Sequence, residues 1–517
     1  MKRKTWMISA LMYAMVFMAC FGVLHVLKTL MEPSGPVSVE SRESGGPEST
    51  REAKTGEEWE EPARPALATD SQAQEPQDEV IRQEGYKEWK KKFPGMWTPP
   101  QAPEEPYIPP RLILATDLHY QSALAGDGGE AFRLFVERSD GKVVQYLPEL
   151  LEAFLDEVIE ERPSALVLSG DITMNGERMN HEELAARLKR VQDAGIQVLV
   201  IPGNHDINNH DAAVYYGARK EPAPYIDGPE FHEIYHEYGY DQALSRDSSS
   251  LSYVYALDDR NWLLMLDSCQ YEPDNKVEGR LKDSTMAWAD EQLARAKEEG
   301  VFVIPIAHHN LLAQSRMYTT QCAMDNNGEV ISLLQKYELP LFFSGHLHVQ
   351  HFMRNNDIGI YEVVTSSLST PPCQYGVLDY MEDETFYYYT RKVNMEKWAR
   401  KNKSTDENLL NFDTYSPPVL KRIFYNQAYD AMKNSAEEET GSIFVKLTES
   451  EKQQMAKVYG DINAACYAGR AYEVVKEAVK QPGYAMWKEY CYPSILYEYL
   501  EYIIEDAVLD YNVLGME

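Results

Sequence analysis

The sequence predicts an α/β fold of layered sheets, followed by a helical C-terminal region and preceded by a transmembrane helix. Short apolar runs alternate with helical periodicity over residues 106–393, as happens where strands are joined through helices. Over residues 394–517 the strand pattern fades and helical spacing takes over. At the start, a basic flank leads into an apolar run of membrane-spanning length.

That run occupies residues 6–27 and follows Lys2, Arg3 and Lys4. It matches the roughly 20 residues a helix needs to cross a bilayer. The basic flank should stay cytoplasmic and put the remainder outside, as a single-pass membrane protein with an extracytoplasmic catalytic body. Lipoprotein processing at Cys20 and secretion by simple cleavage are the alternatives. Against both, the apolar run continues past Cys20 to residue 27, where a mature terminus should turn polar. The anchor is assigned to residues 1–30. Residues 31–105 are rich in Glu, Pro, Ser and Gly, a composition that buries too little surface to offset chain entropy and reads as a disordered tether.

The body opens with a buried-strand run at 111–116, and residues 147–161 then place Leu150, Leu151, Phe154, Leu155, Val158 and Ile159 at helical spacing. Strands at 165–169 and 196–201 flank a helix at 181–194. Strands at 261–266, 301–307 and 341–344 are separated by helices at 286–299 and 329–337. Further alternation lies at 360–366, 376–380 and 385–392. The C-terminal helices are expected at 421–433, 449–459, 462–479 and 494–509.

The chain has 517 residues and a formal charge of −32. No nucleic-acid partner is expected, because neutralising a phosphate backbone needs clustered Lys and Arg. A small phosphorylated substrate stays open, since bound cations would invert the local field. Apart from Cys20, the cysteines are Cys269, Cys322, Cys373, Cys466 and Cys491, with no CxxC spacing. They imply neither a disulfide framework nor a zinc ribbon.

Five motifs carry the chemistry: Asp117-Leu118-His119, Gly170-Asp171, Gly203-Asn204-His205-Asp206, His308-His309 and Gly345-His346-Leu347-His348. Each follows an apolar strand, where active-site loops of α/β sheets leave the strand ends. Alternate residues leaving a strand point the same way, so Asp117 and His119 can reach one cation. Asp171 can bridge two cations through its two oxygens. Asn204 offers a neutral carbonyl oxygen, and His205 can protonate a leaving oxygen. Asp206 is expected to orient that imidazole and raise its pKa. His346 and His348 can contact neighbouring cations, while His309 is given at most a supporting place. Mixed oxygen and nitrogen donors suit Mn, Fe, Zn or Co, in divalent or trivalent form. Two such ions about 3.5–4 Å apart can acidify water and clamp both oxygens of an in-line displacement.

These residues resemble the calcineurin-like metallophosphoesterase superfamily over roughly residues 111–380. The resemblance implies two packed mixed β-sheets flanked by helices, an αββα sandwich, with residues 106–393 as the catalytic domain. It also implies one metal held by Asp117, His119 and His348 and a second by Asn204, His308 and His346. Asp171 is the implied bridge and His205 the proton donor. The runs at 169–177 and 362–370 are most similar to the bacterial cyclic-nucleotide and glycerophosphodiester phosphodiesterase branch. Met174 replaces the Tyr of purple acid phosphatases, and Asn175-Gly176 does not match the Asp-Arg-Gly run of protein phosphatases. Asn310 follows the His pair where Pro is common. The expected reaction is hydrolysis of a phosphodiester on a small phosphoester or a lipid- or wall-linked phosphate. The alternatives are phosphomonoester or pyrophosphate hydrolysis, or non-catalytic binding of phosphorylated envelope components.

Overall fold

The computed structural model describes residues 107–316, 321–355, 359–380, 385–438, 443–491 and 494–516, so the expected anchor at 1–30 and tether at 31–105 lie outside them. Among the described residues, no helix is long and apolar enough to cross a membrane. In chain order the strands are β1 (Arg111–Ala115), β2 (Ala165–Ser169), β3 (Gln197–Ile201), β4 (Ala213–Tyr216), β5 (Arg219–Pro222), β6 (Ser245–Arg246), β7 (Tyr253–Ala256) and β8 (Asn261–Leu266). Then come β9 (Phe302–Ala307), β10 (Leu341–Ser344), β11 (His351–Asn355), β12 (Ile360–Val364), β13 (Gln374–Tyr380), β14 (Phe386–Lys392) and β15 (Val513–Met516).

They form a six-stranded sheet in the order β15-β14-β13-β1-β2-β3, a seven-stranded sheet in the order β11-β12-β10-β9-β8-β7-β6, and the hairpin β4-β5. Both large sheets are mixed: β1-β2-β3 and β8-β9-β10-β12 run parallel, and the outer pairs run antiparallel. The two-residue side-chain period shows why they stack. Leu263 and Met265 of β8 share a core with Leu112, Val198 and Val377 of the other sheet. Trp262, Leu264 and Leu266 of the same strand face an outer cluster with Leu293 and Leu334 of the helices Asp283–Glu299 and Asn327–Lys336. The helices Leu147–Glu161 and Arg178–Asp193 contribute Phe154 and Leu184 to the core of the first sheet. Sheets buried on both faces account for the near-continuous apolar strands.

Two expectations about the tail are corrected. The sequence reading broke a helix between 459 and 462, but Glu449–Tyr467 is one helix. Gly460 serves packing there: a Cβ would stand 2.7 Å from the Lys421 carbonyl oxygen of the neighbouring helix Pro417–Glu438. Nor is the tail helical to its end, because β15 returns to pair antiparallel with β14. Four residues carry too little pattern to announce a strand; the open edge of β14 creates it. The helices have their own core around Phe424, Met455, Tyr459 and Trp487, and Trp487 Nε1 donates to Met455 O at 2.9 Å. Among the described residues, Cys269, Cys322, Cys373, Cys466 and Cys491 form no disulfide.

Candidate metal centre

The motif loops leave the ends of β1, β2, β3, β9 and β10 on one side of the paired sheets and converge. Asp117, His119, Asp171, Asn204, His308 and His346 are buried, and His348 is nearly so. Gly203 is what allows this closeness, since a Cβ there would lie 2.1 Å from the backbone nitrogen of Asp171.

One group of donors comprises Asp117, His119, Asp171 and His348, whose ligand atoms lie within 4.8 Å of one another. His119 Nε2 and His348 Nε2 approach to 3.0 Å, and His348 Nε2 is 3.3 Å from Asp117 Oδ1. Asp117 Oδ2 accepts from Thr116 Oγ1 at 2.7 Å and from the His346 backbone amide at 3.0 Å. Its Oδ1 is buried without a hydrogen-bond partner. A buried carboxylate oxygen left unpaired among imidazole nitrogens is costly unless a cation completes it. Burial holds His119 well below the usual histidine range, so its lone pair is available as a ligand.

The second group gathers around His308. Its Nδ1 donates to Ser169 O at 3.0 Å, which leaves Nε2 to face Asn204 Oδ1 at 3.2 Å and Asp171 Oδ2 at 3.4 Å. His346 Nε2 donates to Gln321 O at 2.8 Å, so Nδ1 is the nitrogen that would serve a cation. Backbone carbonyls thus select the tautomer of both rings, as carbonyl partners do for metal-binding histidines. Burial lowers the His308 pKa, and the Asp171 and Asp117 carboxylates more than reverse this, to about 9.

Asp171 lies between the groups. Oδ1 accepts from the His205 backbone amide at 2.7 Å. Oδ2 lies 3.4 Å from His308 Nε2 and 3.8 Å from His119 Nε2. Oδ2 thus faces both donor sets. The donor chemistry, the orphaned oxygen and the selected tautomers fit a pair of cations.

Asp206 also differs from expectation. Its carboxylate does not touch His205; it accepts from Gly203 N at 2.8 Å, Ile172 N at 3.1 Å, Thr173 N at 2.9 Å and Thr173 Oγ1 at 2.7 Å. It pins the β2 and β3 loops together, because those amides are closer than the ring. Burial, reinforced by Asp171, pushes its pKa up to about 7. His205 is oriented instead by Met174 O and Asn175 Oδ1, at 2.9 and 3.0 Å from Nδ1. Its side chain is 30% exposed, with Nε2 4.0 Å from Asp171 Oδ2, so the ring has an open face toward the centre. Burial lowers its pKa and Asp171 opposes that shift.

His309 stands close to His346, but both its nitrogens are used, by Ser268 Oγ at 2.8 Å and Val277 O at 3.0 Å. That leaves it in a supporting place. Asn310 anchors the loop that Pro would otherwise stiffen: Nδ2 donates to Ser344 Oγ at 2.8 Å and Gly345 O at 3.2 Å. Sequence reading missed Gln321, whose contribution is a backbone carbonyl and carries no side-chain signal. It also missed Glu362, a buried carboxylate accepting from Leu311 N, Leu312 N, Gln314 Nε2 and Ser344 Oγ.

Residues 110–350 match the family model described as calcineurin-like phosphoesterase. Residues 394–510 match the model described as the C-terminal domain of cyclic nucleotide phosphodiesterase. The uncharacterized metallophosphoesterase YkuE of Bacillus subtilis is 31% identical over 110 residues, which is 21% of this chain and 38% of that protein. The match thus spans well under half the length of that relative. Among solved structures, a dimetal phosphatase from Danio rerio is similar at 15% identity and a TM-score of 0.40, covering 55% of this chain and 96% of the other. A putative 5'-nucleotidase from Staphylococcus aureus is similar at 12% identity and a TM-score of 0.33, covering 60% of this chain and 58% of the other.

Proposed function

Residues 110–350 belong to the calcineurin-like phosphoesterase family, and from that premise we propose that this chain hydrolyses phosphodiesters at a two-cation centre. The observation that carries the reading is the position of Asp171 Oδ2, at 3.4 Å from His308 Nε2 and 3.8 Å from His119 Nε2. Asp117, His119 and His348 would hold one ion; Asn204, His308 and His346 would hold the other. When bound, such ions supply Lewis-acid neutralisation of phosphoryl charge and acidify water. His205 Nδ1 donates to Met174 O, which turns Nε2 toward the centre, where it would carry a proton for the departing oxygen in the imidazolium form. Asp206 acts by keeping the Gly203 turn closed on the β2 loop.

A diester is favoured over a monoester by the family description matched at 394–510 and by the runs at 169–177 and 362–370. The test is a panel of mono- and diesters offered to the purified, Mn-loaded chain. Faster turnover of bis-p-nitrophenyl phosphate than of p-nitrophenyl phosphate is expected. The reverse order would make the chain a phosphomonoesterase, and bound metal with no turnover of any ester would make it a binding module. The substrate is a small phosphoester or a lipid- or wall-linked phosphate, met outside the cytoplasmic membrane by a domain tethered through residues 1–30. The basic flank and apolar run support that placement. Protease added to intact cells should remove the catalytic domain; full protection would refute it.

A further inference from the structure

The C-terminal region grips the loops of the candidate metal centre through a series of polar contacts. Gln350, just past His348, donates its backbone amide to Tyr467 O at 3.0 Å and its Nε2 to Tyr511 O at 3.0 Å. Tyr502 Oη donates to Gln314 O, in the loop that begins at His308, at 2.8 Å. Beside these contacts stands His351, 5% exposed, at the start of β11. Its Nδ1 faces Gln314 Oε1 at 2.8 Å, and its Nε2 faces Asp506 Oδ2 at 3.0 Å. Asp506 closes the helix Ile495–Asp506. Apolar packing across this boundary is partial. Val349 joins the helical core, yet a cavity of about 60 Å³ is bordered by Leu347, Val349, Tyr499 and Ile503. The polar contacts therefore carry much of the coupling.

The hydrogen bonds continue inward. Gln314 Nε2 donates to Glu362 Oε2 at 2.7 Å, which fixes the turn of the amide and leaves Oε1 to accept from His351 Nδ1. Both ring nitrogens then face acceptors, and the imidazolium form satisfies the two at once. Glu362 is fully buried and also accepts from Leu311 N at 2.8 Å, Leu312 N at 2.6 Å and Ser344 Oγ at 2.6 Å. Those donors belong to the two loops that carry His308 and His346. Gly345 N donates to His308 O at 3.0 Å and joins the loops directly. A buried carboxylate holds its surroundings rigid only while each of its donors is itself held, and Gln314 is the donor that the tail holds.

We propose that His351 is a positioning residue through which the C-terminal helices set the geometry of the loops bearing His308 and His346. The relay runs from Asp506 through His351 and Gln314 to Glu362, and from there to Leu311, Leu312 and Ser344. The inference rests on the phosphoesterase reading of the same site. It gives the C-terminal region a task there, which is to order the ligands of one cation before that cation arrives.

The test uses the full chain and two readouts, amide hydrogen exchange in chelator and titration with Mn. His351→Phe keeps a ring and removes both bonds, while Asp506→Ala removes the outer one. In both variants the Leu311 and Leu312 amides should exchange about tenfold faster or more, the range for loss of a charge-assisted hydrogen bond. The more weakly held of two Mn ions should bind about tenfold more weakly. Asp506→Asn, which keeps an acceptor for Nε2, should recover part of both losses. A merely structural role would speed exchange in the helix Ile495–Asp506 alone. Unchanged exchange at Leu311 and Leu312 in folded His351→Phe would overturn the proposal, as would the same result in Asp506→Ala should the phenylalanine variant fail to fold. Unchanged Mn affinity in a variant with faster exchange would overturn it too, since the loops would then loosen without bearing on the ligands. Failure of the wild type to bind Mn and to hydrolyse any ester would instead overturn the phosphoesterase reading, with the exchange result still deciding the relay.

Discussion

His181 offers a stability prediction that can be worked from the structure. It sits near the start of the helix Arg178–Asp193 and is fully buried. Its Nε2 donates to Asp206 O at 2.9 Å, and its Nδ1 faces Tyr235 Oη at 3.0 Å. Burial lowers its pKa from 6.5 to about 3, with the Asp206 carbonyl opposing and Arg178 reinforcing the shift. A depressed histidine favours the folded state while neutral. Its contribution is complete above the unfolded value of 6.5 and is lost as pH falls toward the folded value of about 3. Between pH 7 and pH 5 the unfolded chain takes up a proton that the folded chain refuses over roughly 1.5 units. At about 1.36 kcal/mol per unit, that is a loss of about 2 kcal/mol.

Other groups titrate in the same window. Glu362, raised by burial to about 7, has the opposite sign: its contribution is complete below its unfolded value and is lost as pH rises through 7. The wild-type slope alone is therefore uninformative. The difference between wild type and His181→Gln isolates the histidine, because glutamine keeps a donor for Asp206 O and cannot protonate. Urea unfolding in chelator at pH 7, 6 and 5 measures it. The wild type should lose about 2 kcal/mol more than the variant over that interval. Parallel slopes would refute the assignment of His181 as a neutral buried brace.

His205→Ala should lower kcat by about 10²–10⁴ while metal content is retained, because in the proposed mechanism the ring would protonate a leaving group and hold no ion. Asp171→Ala should lose the metals themselves, measured by emission spectroscopy; full turnover in that variant would remove the mechanism. Gly203→Ala should also lose metal, since its Cβ would stand 2.1 Å from Asp171 N; an alanine variant with normal metal content would contradict that clash. Trp487→Ala should cost about 3–5 kcal/mol in the C-terminal core, read as a loss of thermal stability.

Much of the site was legible in the motifs because metal ligands must be particular residue types leaving strand ends. Asp117, Asp171, Asn204, His308, His346 and His348 all converge with His119, as their spacing suggested. The role of Asp206 was not legible. Adjacency in sequence placed it beside His205, whereas the fold offers its carboxylate three backbone amides and a hydroxyl. Strands with clear apolar runs, such as β2, β8 and β10, could be read directly. The hairpin β4-β5, the short β6 and the terminal β15 could not, because their pairing partners supply what their own side chains lack.

From the order of its residues alone, this chain determines which side chains can bind cations and which segments must be buried, since ligand chemistry and hydrophobic periodicity are local properties. Tertiary structure alone decides which ring nitrogen of His308 faces Asp171 and Asn204, and that the Asp206 carboxylate is drawn to backbone amides and not to His205. Those outcomes depend on carbonyls, amides and helices distant in sequence, and the physical reason is that a hydrogen bond or a charge acts through space and not along the chain.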